Sequence, residues 1–276
     1  MKKSLFYTGG YTLKTVPRFF DTTEPLVQIG AGDYYVYETI DFDKISGIKF
    51  QGMGQAYYPK DHPTDGAVTR LIWKGDPSVP MFRGPVRHGL FQDIQFVGGY
   101  LQIMPIRGFG TGLCNFERCT FFNSGVKFGD NSYNANAADS TFRDCQFVNC
   151  KTACVELSTS QNVNYLIDNC MFYRCANVVN VRGGGLVTLR DCYLTQIPTV
   201  FKIIGDGSKT GSHNGNFVVR DLRYDWKQDV KPTIVNDISG YGSGRKLIVD
   251  NVHSPRGVSH VKILNSEKVE WEVRVR

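Results

Sequence analysis

Three acidic side chains are the best candidates for acid–base chemistry in this sequence: Glu156, Asp130 and Asp139. Glu156 lies between Val155 and Leu157, so the strand period predicts that its side chain points outward next to a polar loop. Hydrolysis of a glycosidic bond needs two carboxyl groups about 5–9.5 Å apart, one of them protonated. Adjacent structural repeats could place Asp130 near Glu156 or Asp139, and these three acids are therefore the candidate catalytic residues.

Residues that suit sugars fall in three polar segments, at 55–66, 129–139 and 205–216. Amide groups can bond sugar hydroxyls, and aromatic rings can stack on the C–H faces of sugars. The alternative is that these segments are ordinary turns, because Gly, Asn, Asp and Ser are turn residues. The candidate carbohydrate-binding residues are Tyr57, Tyr58, Tyr133, Asn134, His213 and Asn214.

The cysteines could hold a metal or form disulfides, but a separate feature of the sequence argues against each role. The chain has eight cysteines and five histidines, but the histidines lack the spacing to cysteine that a zinc site requires. The chain is also long for a disulfide-stapled domain. We predict no metal and no cofactor, with most of the cysteines reduced and buried.

The cysteines belong to a repeated motif: apolar, variable, Asp or Asn, Cys or aliphatic, variable, aromatic. Copies occupy residues 91–96, 116–121, 142–147, 167–172, 189–194 and 219–224, and a weaker copy starts at residue 249. Their fourth positions are 22 to 30 residues apart. A period of this size indicates a solenoid in which each repeat forms one turn.

A second element advances in step with the motif and alternates apolar, polar, apolar, which is typical of a strand with one buried face. It occupies residues 101–103, 126–128, 155–157, 179–181 and 201–203. Helical spacing is scarce over the same residues. The sequence therefore predicts an all-β fold, a single right-handed parallel β-helix of about eight to ten coils over residues 26–276. Residues 1–25 are predicted to form a leader that caps the first coil or attaches the chain, and residues 262–264 and 269–275 to form final strands that cover the last coil or pair with a second chain.

Stacking of coils predicts columns of equivalent side chains about 4.8 Å apart. One buried column contains cysteines, a second contains phenylalanines, and Cys150 with Cys175 forms a shorter stack. Asp or Asn at the third motif position is predicted to occupy a corner, because these residues tolerate bends. The two buried columns are Cys119, Cys145, Cys170 and Cys192, and Phe96, Phe121, Phe147 and Phe172. The predicted corners are Asp93, Asp144, Asn169, Asp191, Asp221 and Asn251. An outward column, whose opposite charges can pair, consists of Gln92, Glu117, Arg143, Asp168, Arg190, Arg220 and Asp250.

Charge and hydropathy exclude some partners. The net charge of +6 is scattered, and no basic run with interleaved aromatics predicts nucleic-acid binding. No stretch of about 18 apolar residues predicts a membrane span. The first residues lack the apolar stretch of a signal peptide, so no export signal is expected.

Residues 26–36 and 45–54 resemble the opening coils of the pectate-lyase-like β-helix superfamily, in which a Gly-Xaa-Tyr strand precedes a Gly-Ile-Xaa-Phe-Xaa-Gly strand. Residues 69–73 and 93–99 fit the same pattern, and the resemblance extends over roughly residues 26–260. Such openings are common in bacteriophage tail spikes. The superfamily contains lyases, hydrolases, epimerases and adhesins. The Asp-Asp motif of the polygalacturonase-like hydrolases is absent, and the calcium-binding acids of pectate lyases are not recognisable, so no catalytic residue carries over.

The resemblance implies a virion appendage, a tail spike or fibre-like protein that binds a bacterial surface polysaccharide without cleaving it. It further implies a homotrimer that contacts other virion proteins and assembles in the host cytoplasm. Two alternatives on the same scaffold are a polysaccharide depolymerase, acting as a hydrolase or lyase, and a purely structural virion component. A bacterial lyase or epimerase is disfavoured by the missing export signal. The chain is shorter than a typical spike, which leaves room for a component docked on a larger assembly.

Overall fold

The computed structural model describes residues 26–42, 45–54, 68–105, 110–130, 136–159, 161–205, 215–225, 231–240, 242–264 and 269–276. All regular structure in these ranges is β-strand, so the all-β prediction is confirmed. Within the same ranges there is no helix with the length and apolar character needed to cross a membrane. The predicted leader, residues 1–25, lies outside the described residues.

Most strands are short, because the chain bends every few residues to close a turn of the solenoid, and the strands Asn216–Tyr224 and Gly242–His253 are the long exceptions. The first fifteen strands are β1 (Leu26–Gln28), β2 (Gly32–Val36), β3 (Ile40–Asp41), β4 (Ile45–Ser46), β5 (Lys49–Gln51), β6 (Thr69–Trp73), β7 (Phe82–Gly84), β8 (Val86–Arg87), β9 (Leu90–Gln92), β10 (Ile94–Val97), β11 (Leu101–Ile103), β12 (Thr111–Gly112), β13 (Asn115–Glu117), β14 (Thr120–Phe122) and β15 (Val126–Phe128). They are followed by β16 (Ala137–Ala138), β17 (Ser140–Arg143), β18 (Gln146–Val148), β19 (Val155–Leu157), β20 (Tyr165–Asp168), β21 (Met171–Tyr173), β22 (Val179–Val181), β23 (Val187–Arg190), β24 (Tyr193–Thr195), β25 (Thr199–Ile203), β26 (Asn216–Tyr224), β27 (Thr233–Asp237), β28 (Gly242–His253), β29 (Ser259–Ile263) and β30 (Val269–Val275).

The strands pair in parallel, each with its equivalent in the next turn, and form three sheets among the described residues. The main sheet has 17 strands in two columns, one through β1, β5, β9 and β13 and the other through β2, β6, β10 and β14. The second sheet has nine strands, β3 to β29, and the third has four, β4 to β16. The chain runs through both columns of the main sheet, then the second sheet, and in the early turns the third. This is the predicted parallel β-helix, with about eight turns.

Phenylalanine columns fill the interior, and the predicted one is confirmed. Phe96, Phe121, Phe147 and Phe172 are fully buried, with successive ring centroids 5.3, 4.7 and 5.1 Å apart and nearly parallel planes. A second column of stacked rings occupies the first motif position, and it runs through Phe50, Phe91, Phe116 and Phe142. Offset stacking of this kind contributes about 0.5–1.5 kcal/mol per pair beyond the burial of apolar area.

The predicted cysteine column is also confirmed. The amide that follows each thiol donates to the cysteine carbonyl of the preceding turn, as Gln146 does to Cys119 and Met171 to Cys145. The Cys145 Sγ donates to the Phe116 carbonyl at 3.3 Å, and its neighbours make equivalent contacts. All eight cysteines are free thiols and buried. They serve here as small apolar side chains in a narrow interior.

The corner prediction is confirmed by the backbone, since all six predicted Asp and Asn residues have φ between 48° and 57°. This left-handed region costs most side chains energy, and Asp and Asn tolerate it best. The turn that contains Cys119 has Arg118 at this corner, with φ 49°. The Arg118 guanidinium donates two hydrogen bonds to Asp93 in the preceding turn, at 2.7 and 3.0 Å, and so occupies a corner that its own backbone preference disfavours.

The outward column of the main sheet has the predicted register, from Gln92 to Asp250. Its opposite charges pair across turns as expected. Asp168 accepts two hydrogen bonds from Arg190, at 2.9 and 2.8 Å, and also lies 3.6 Å from Arg143. These hydrogen bonds and the nearby positive charges hold the pKa of Asp168 below its ordinary value, against the opposing effect of burial.

Near the C-terminal turns the aromatic interior gives way to a buried polar cluster. Arg245 and Asp237 form an ion pair, and both side chains are completely buried. The other Asp237 oxygen accepts from the Ser239 amide at 3.0 Å and the Ser239 hydroxyl at 2.7 Å, and the Trp271 indole donates to Asp237 at 2.9 Å. Trp271 belongs to β30, so this cluster ties the final strand to the interior. Strands β29 and β30 continue the parallel pairing of the earlier turns.

Candidate functional site

A second column of corners separates the main sheet from the second sheet. It follows the aromatic position of the motif by two residues and consists of Gly98, Asn123, Asn149, Arg174 and Gln196, with φ between 49° and 88°. The amides of Asn123, Asn149 and Arg174 donate to carbonyls of the next turn at 2.9 to 3.0 Å. Because the backbone turns sharply here, the four non-glycine residues of this column project their side chains from the solenoid surface in a row parallel to its axis.

Two adjoining hollows, each of about 510 Å³, follow this row of corners. The first is lined by Pro77, Gly98, Tyr100, Asn123, Ser124, Gly125, Val126, Lys127, Cys150, Lys151, Thr152, Ala153 and Glu156. The second is lined by Asn123, Asn149, Cys150, Lys151, Arg174, Cys175, Ala176 and Gln196. They share Asn123, Cys150 and Lys151, and we refer to them together as the corner groove. From the turn of Gly98 to that of Gln196 the groove advances four strand spacings, roughly 19 Å.

Glu156 lies in the corner groove at the centre of β19, as the strand pattern predicted. Lys127 of the preceding turn and Arg182 each place a nitrogen 3.4 Å from the same carboxylate oxygen. The Ser158 hydroxyl donates to that oxygen at 2.9 Å. The side chain is 20% exposed. Two cations and one hydroxyl therefore contact the carboxylate and hold it in a fixed position.

Tyr100 forms part of the wall of the corner groove near Glu156. Its hydroxyl donates to the Ser78 carbonyl at 3.4 Å. Burial raises the pKa of Tyr100, the negative charge of Glu156 raises it further, and the positive charge of Arg83 opposes the shift. The phenol is therefore neutral at physiological pH and presents a half-buried aromatic surface of the kind that stacks on a sugar ring.

The far end of the corner groove is cationic. Arg174 is exposed, its Nε donates to the Gln196 side chain at 2.8 Å, and its guanidinium lies 4.9 Å from the centre of the Tyr173 ring. These contacts orient the guanidinium plane. Together with Lys127 and Lys151, it gives the described lining three cations against the single acid Glu156.

The three predicted catalytic residues do not line one common hollow. Asp130 follows β15 and lies three residues beyond Lys127, in the turn before that of Glu156. Asp139 is at a third corner, with φ 56°, where the Asn164 side chain of the next turn donates to it at 2.6 Å. It lines a separate hollow of about 210 Å³ with Arg87 and His88. Of the three, Glu156 lines the corner groove.

The six predicted carbohydrate-binding residues, Tyr57, Tyr58, Tyr133, Asn134, His213 and Asn214, lie outside the described residues. The corner residues of the groove were not predicted from the sequence, whereas Glu156 was. A signal for them exists, because Asn123, Asn149, Arg174 and Gln196 recur with the same spacing as the motif and stand two positions after its last residue.

Three thiols lie beneath the corner groove. The predicted stack of Cys150 and Cys175 is present, and Cys154 joins it, so that the three sulfur atoms lie within 4.8 Å of one another. Burial raises the pKa of Cys150 and of Cys154. Burial also opposes ionisation of Cys175, but hydrogen bonds from the other two thiols lower its pKa below the ordinary value. The repeated motif did not predict this group, because Cys154 lies outside it.

The fold and the site define a parallel β-helix protein with an elongated polar groove along one corner. No protein-family model matches the chain, and no curated protein matches its sequence. Among solved structures it is similar to the tailspike protein of Acinetobacter phage vB_ApiP_P1, with 15% identity over 87% of this chain and 53% of that one and a TM-score of 0.40. It is also similar to the tailspike protein gp49 of Acinetobacter baumannii bacteriophage Fri1, a capsular polysaccharide depolymerase, with 10% identity over 91% of this chain and 56% of that one and a TM-score of 0.41. The chain thus spans about half the length of each.

Proposed function

We propose that this protein is a tail-spike-like appendage protein that binds an acidic bacterial surface polysaccharide in the corner groove. The observation that carries the proposal is the form and lining of this groove. It runs over successive turns along the solenoid axis, which suits a chain of sugars better than a single small molecule. Its amides, Tyr100 and three cations offer hydrogen bonds, a stacking surface and charge complementarity to a polyanionic glycan.

Binding to purified bacterial capsular polysaccharides, neutral and acidic, tests this proposal. The variant Lys151→Ala/Arg174→Ala removes two exposed cations from the groove and should weaken binding of the acidic glycan at least tenfold. The matched control is Arg256→Ala, which removes an exposed cation from the turn between β28 and β29. The proposal fails if no acidic glycan binds the wild type, or if the double variant binds as well as the control.

Binding without cleavage is part of the proposal, and the surroundings of Glu156 support it. A glycoside hydrolase needs a protonated carboxyl group and a second one within about 5–9.5 Å. Along the outward column of the second sheet, the nearest described neighbours of Glu156 are Lys127 and Asn180. Incubation of the protein with a bound glycan should release no reducing ends.

A depolymerase is the second candidate, and it is favoured by the presence of Glu156 in the groove itself. If oligosaccharides are released, Glu156→Gln and Asp130→Asn should each abolish release while leaving the chain folded. Release that persists in both variants would exclude this site as the catalytic centre. The same reducing-end assay thus separates the two functions.

We further propose that the protein is a homotrimer in a virion and that it assembles in the host cytoplasm. The likeness of residues 26–54 to the opening coils of tail spikes supports this proposal, and the eight free thiols are compatible with a reducing compartment. Light scattering of the purified chain should give a mass three times its 31.0 kDa. A monomeric mass at micromolar concentration would contradict the trimer and leave the groove proposal intact.

A further inference from the structure

The three thiols beneath the corner groove differ from the other buried cysteines in their arrangement. Cys119, Cys145, Cys170 and Cys192 form a line with one sulfur per turn. Cys150 and Cys154 come from the same turn and Cys175 from the next, so their sulfurs form a triangle with sides of at most 4.8 Å. Among the described residues this is the one group of three such ligands so close together.

Packing alone does not require a thiol at position 154. Strand register places Val155 against Val126 and Val179 of the adjacent turns, so the residues equivalent to Cys154 are Gly125 and Val178. An aliphatic side chain fills this place in the next turn. Cys154 is completely buried, and Cys150 and Cys175 are each 2% exposed.

The triangle is close to the geometry of a metal site. Zinc binds thiolate sulfur at about 2.3 Å, which for tetrahedral angles sets adjacent sulfurs about 3.8 Å apart. Each sulfur would have to move by less than about 1 Å to reach this separation. Thiolate ligands select soft or borderline ions, above all Cu(I) and Zn(II). We propose that Cys150, Cys154 and Cys175 bind one thiophilic metal ion of this class beneath the corner groove.

The groove supplies the route of entry for the ion. Cys150 contributes to both hollows and Cys175 to the second. The ion reaches the sulfurs from this side, where water can complete a tetrahedral zinc site, whereas Cu(I) needs only the three sulfurs. Binding exchanges thiol protons for the metal, with up to three protons released to solvent and no change in oxidation state. Affinity should therefore fall as the pH is lowered.

Metal binding is measured on the full chain under a phosphine reductant, in separate titrations with Zn(II) and Cu(I). One equivalent of at least one ion should remain bound after equilibrium dialysis. Cys154→Val, which copies the residue of the next turn, should weaken binding at least tenfold. Cys192→Val removes a buried thiol from the linear column and is the matched control, with unchanged affinity. Far-UV circular dichroism checks that both variants keep the wild-type fold.

The proposal is overturned if neither ion binds at one equivalent per chain, or if Cys154→Val binds as tightly as Cys192→Val. Should Cys154→Val fail to fold, the wild type still decides the question. Cd(II) bound to three thiolates gives an ultraviolet charge-transfer absorption that saturates at one equivalent and is reversed by a chelator. Absence of this band would exclude a three-thiolate site without recourse to any variant.

Discussion

At the scale of single residues, the corners show how this sequence selects its backbone. Asn169 has φ 49°, and its side-chain amide donates to Asp144 of the preceding turn at 2.7 Å. The same bond joins Asn164 to Asp139 and Asn251 to Asp221. Each such residue therefore adopts the left-handed backbone conformation of a corner and also links two turns by a hydrogen bond. These two contributions can be separated by substitution.

Asn169→Ala should lower the free energy of unfolding by about 1–2 kcal/mol. Alanine has a higher conformational energy in the left-handed region, and it loses the hydrogen bond to Asp144. Asn169→Gly should lower it less, because glycine adopts positive φ without that cost. Urea unfolding of both variants measures the difference. Equal losses would mean that backbone conformation contributes nothing at this corner.

Asp168 provides a pH-dependent test at the same scale. Its folded pKa lies below the ordinary value of 3.8, chiefly because of the hydrogen bonds from Arg190. A depressed folded pKa contributes stability that is present above the unfolded pKa and is lost as the pH falls through the folded value. Asp168→Asn should therefore be less stable than wild type at pH 7, and the difference should shrink below about pH 4. A difference that stays constant from pH 7 to pH 3 would contradict this account.

At the scale of elements, the buried cluster at the C-terminal turns replaces a column of rings with an ion pair. Removing one partner leaves an uncompensated buried charge, so Asp237→Ala should lower the free energy of unfolding by about 3–5 kcal/mol. The double variant Asp237→Ala/Arg245→Met removes both charges and should be more stable than Asp237→Ala alone. Urea unfolding of the two variants measures this coupling. If the double variant is less stable than Asp237→Ala, the unpaired buried charge of Arg245 is not the reason that Asp237→Ala lowers the free energy of unfolding.

Much of the element-level architecture follows from the sequence, because a strand buried on one face must repeat its pattern in every turn. The positions of Cys119 and Phe121 within one motif copy were enough to predict their columns. The cluster of Asp237 and Arg245 was not predictable in this way, since it departs from the repeat. The triangle of thiols was not predictable from the sequence for a similar reason, because Cys154 lies in the irregular connection between β18 and β19.

At the scale of the whole molecule, the solenoid converts a small polar corner into a long surface. Asn123, Asn149, Arg174 and Gln196 contribute one side chain per turn, and the translation between turns sets their spacing. No single turn holds the whole corner groove. The groove could therefore not be predicted from any one motif copy, whereas the register of the stacked strands defines it directly.

A binding surface built in this way should respond to the length of its ligand. Size-graded fragments of the bound polysaccharide should gain affinity with length until they span the groove, roughly 19 Å, and then level off. Tyr100 and Arg174 stand towards opposite ends of the groove. Tyr100→Ala or Arg174→Ala should each weaken a spanning fragment at least tenfold, whereas a short fragment should be sensitive to only one of them. Titration calorimetry with wild type, both variants and Arg256→Ala measures these affinities. Affinity independent of length, or a short fragment weakened equally by both changes, would mean that the ligand does not lie along the solenoid axis.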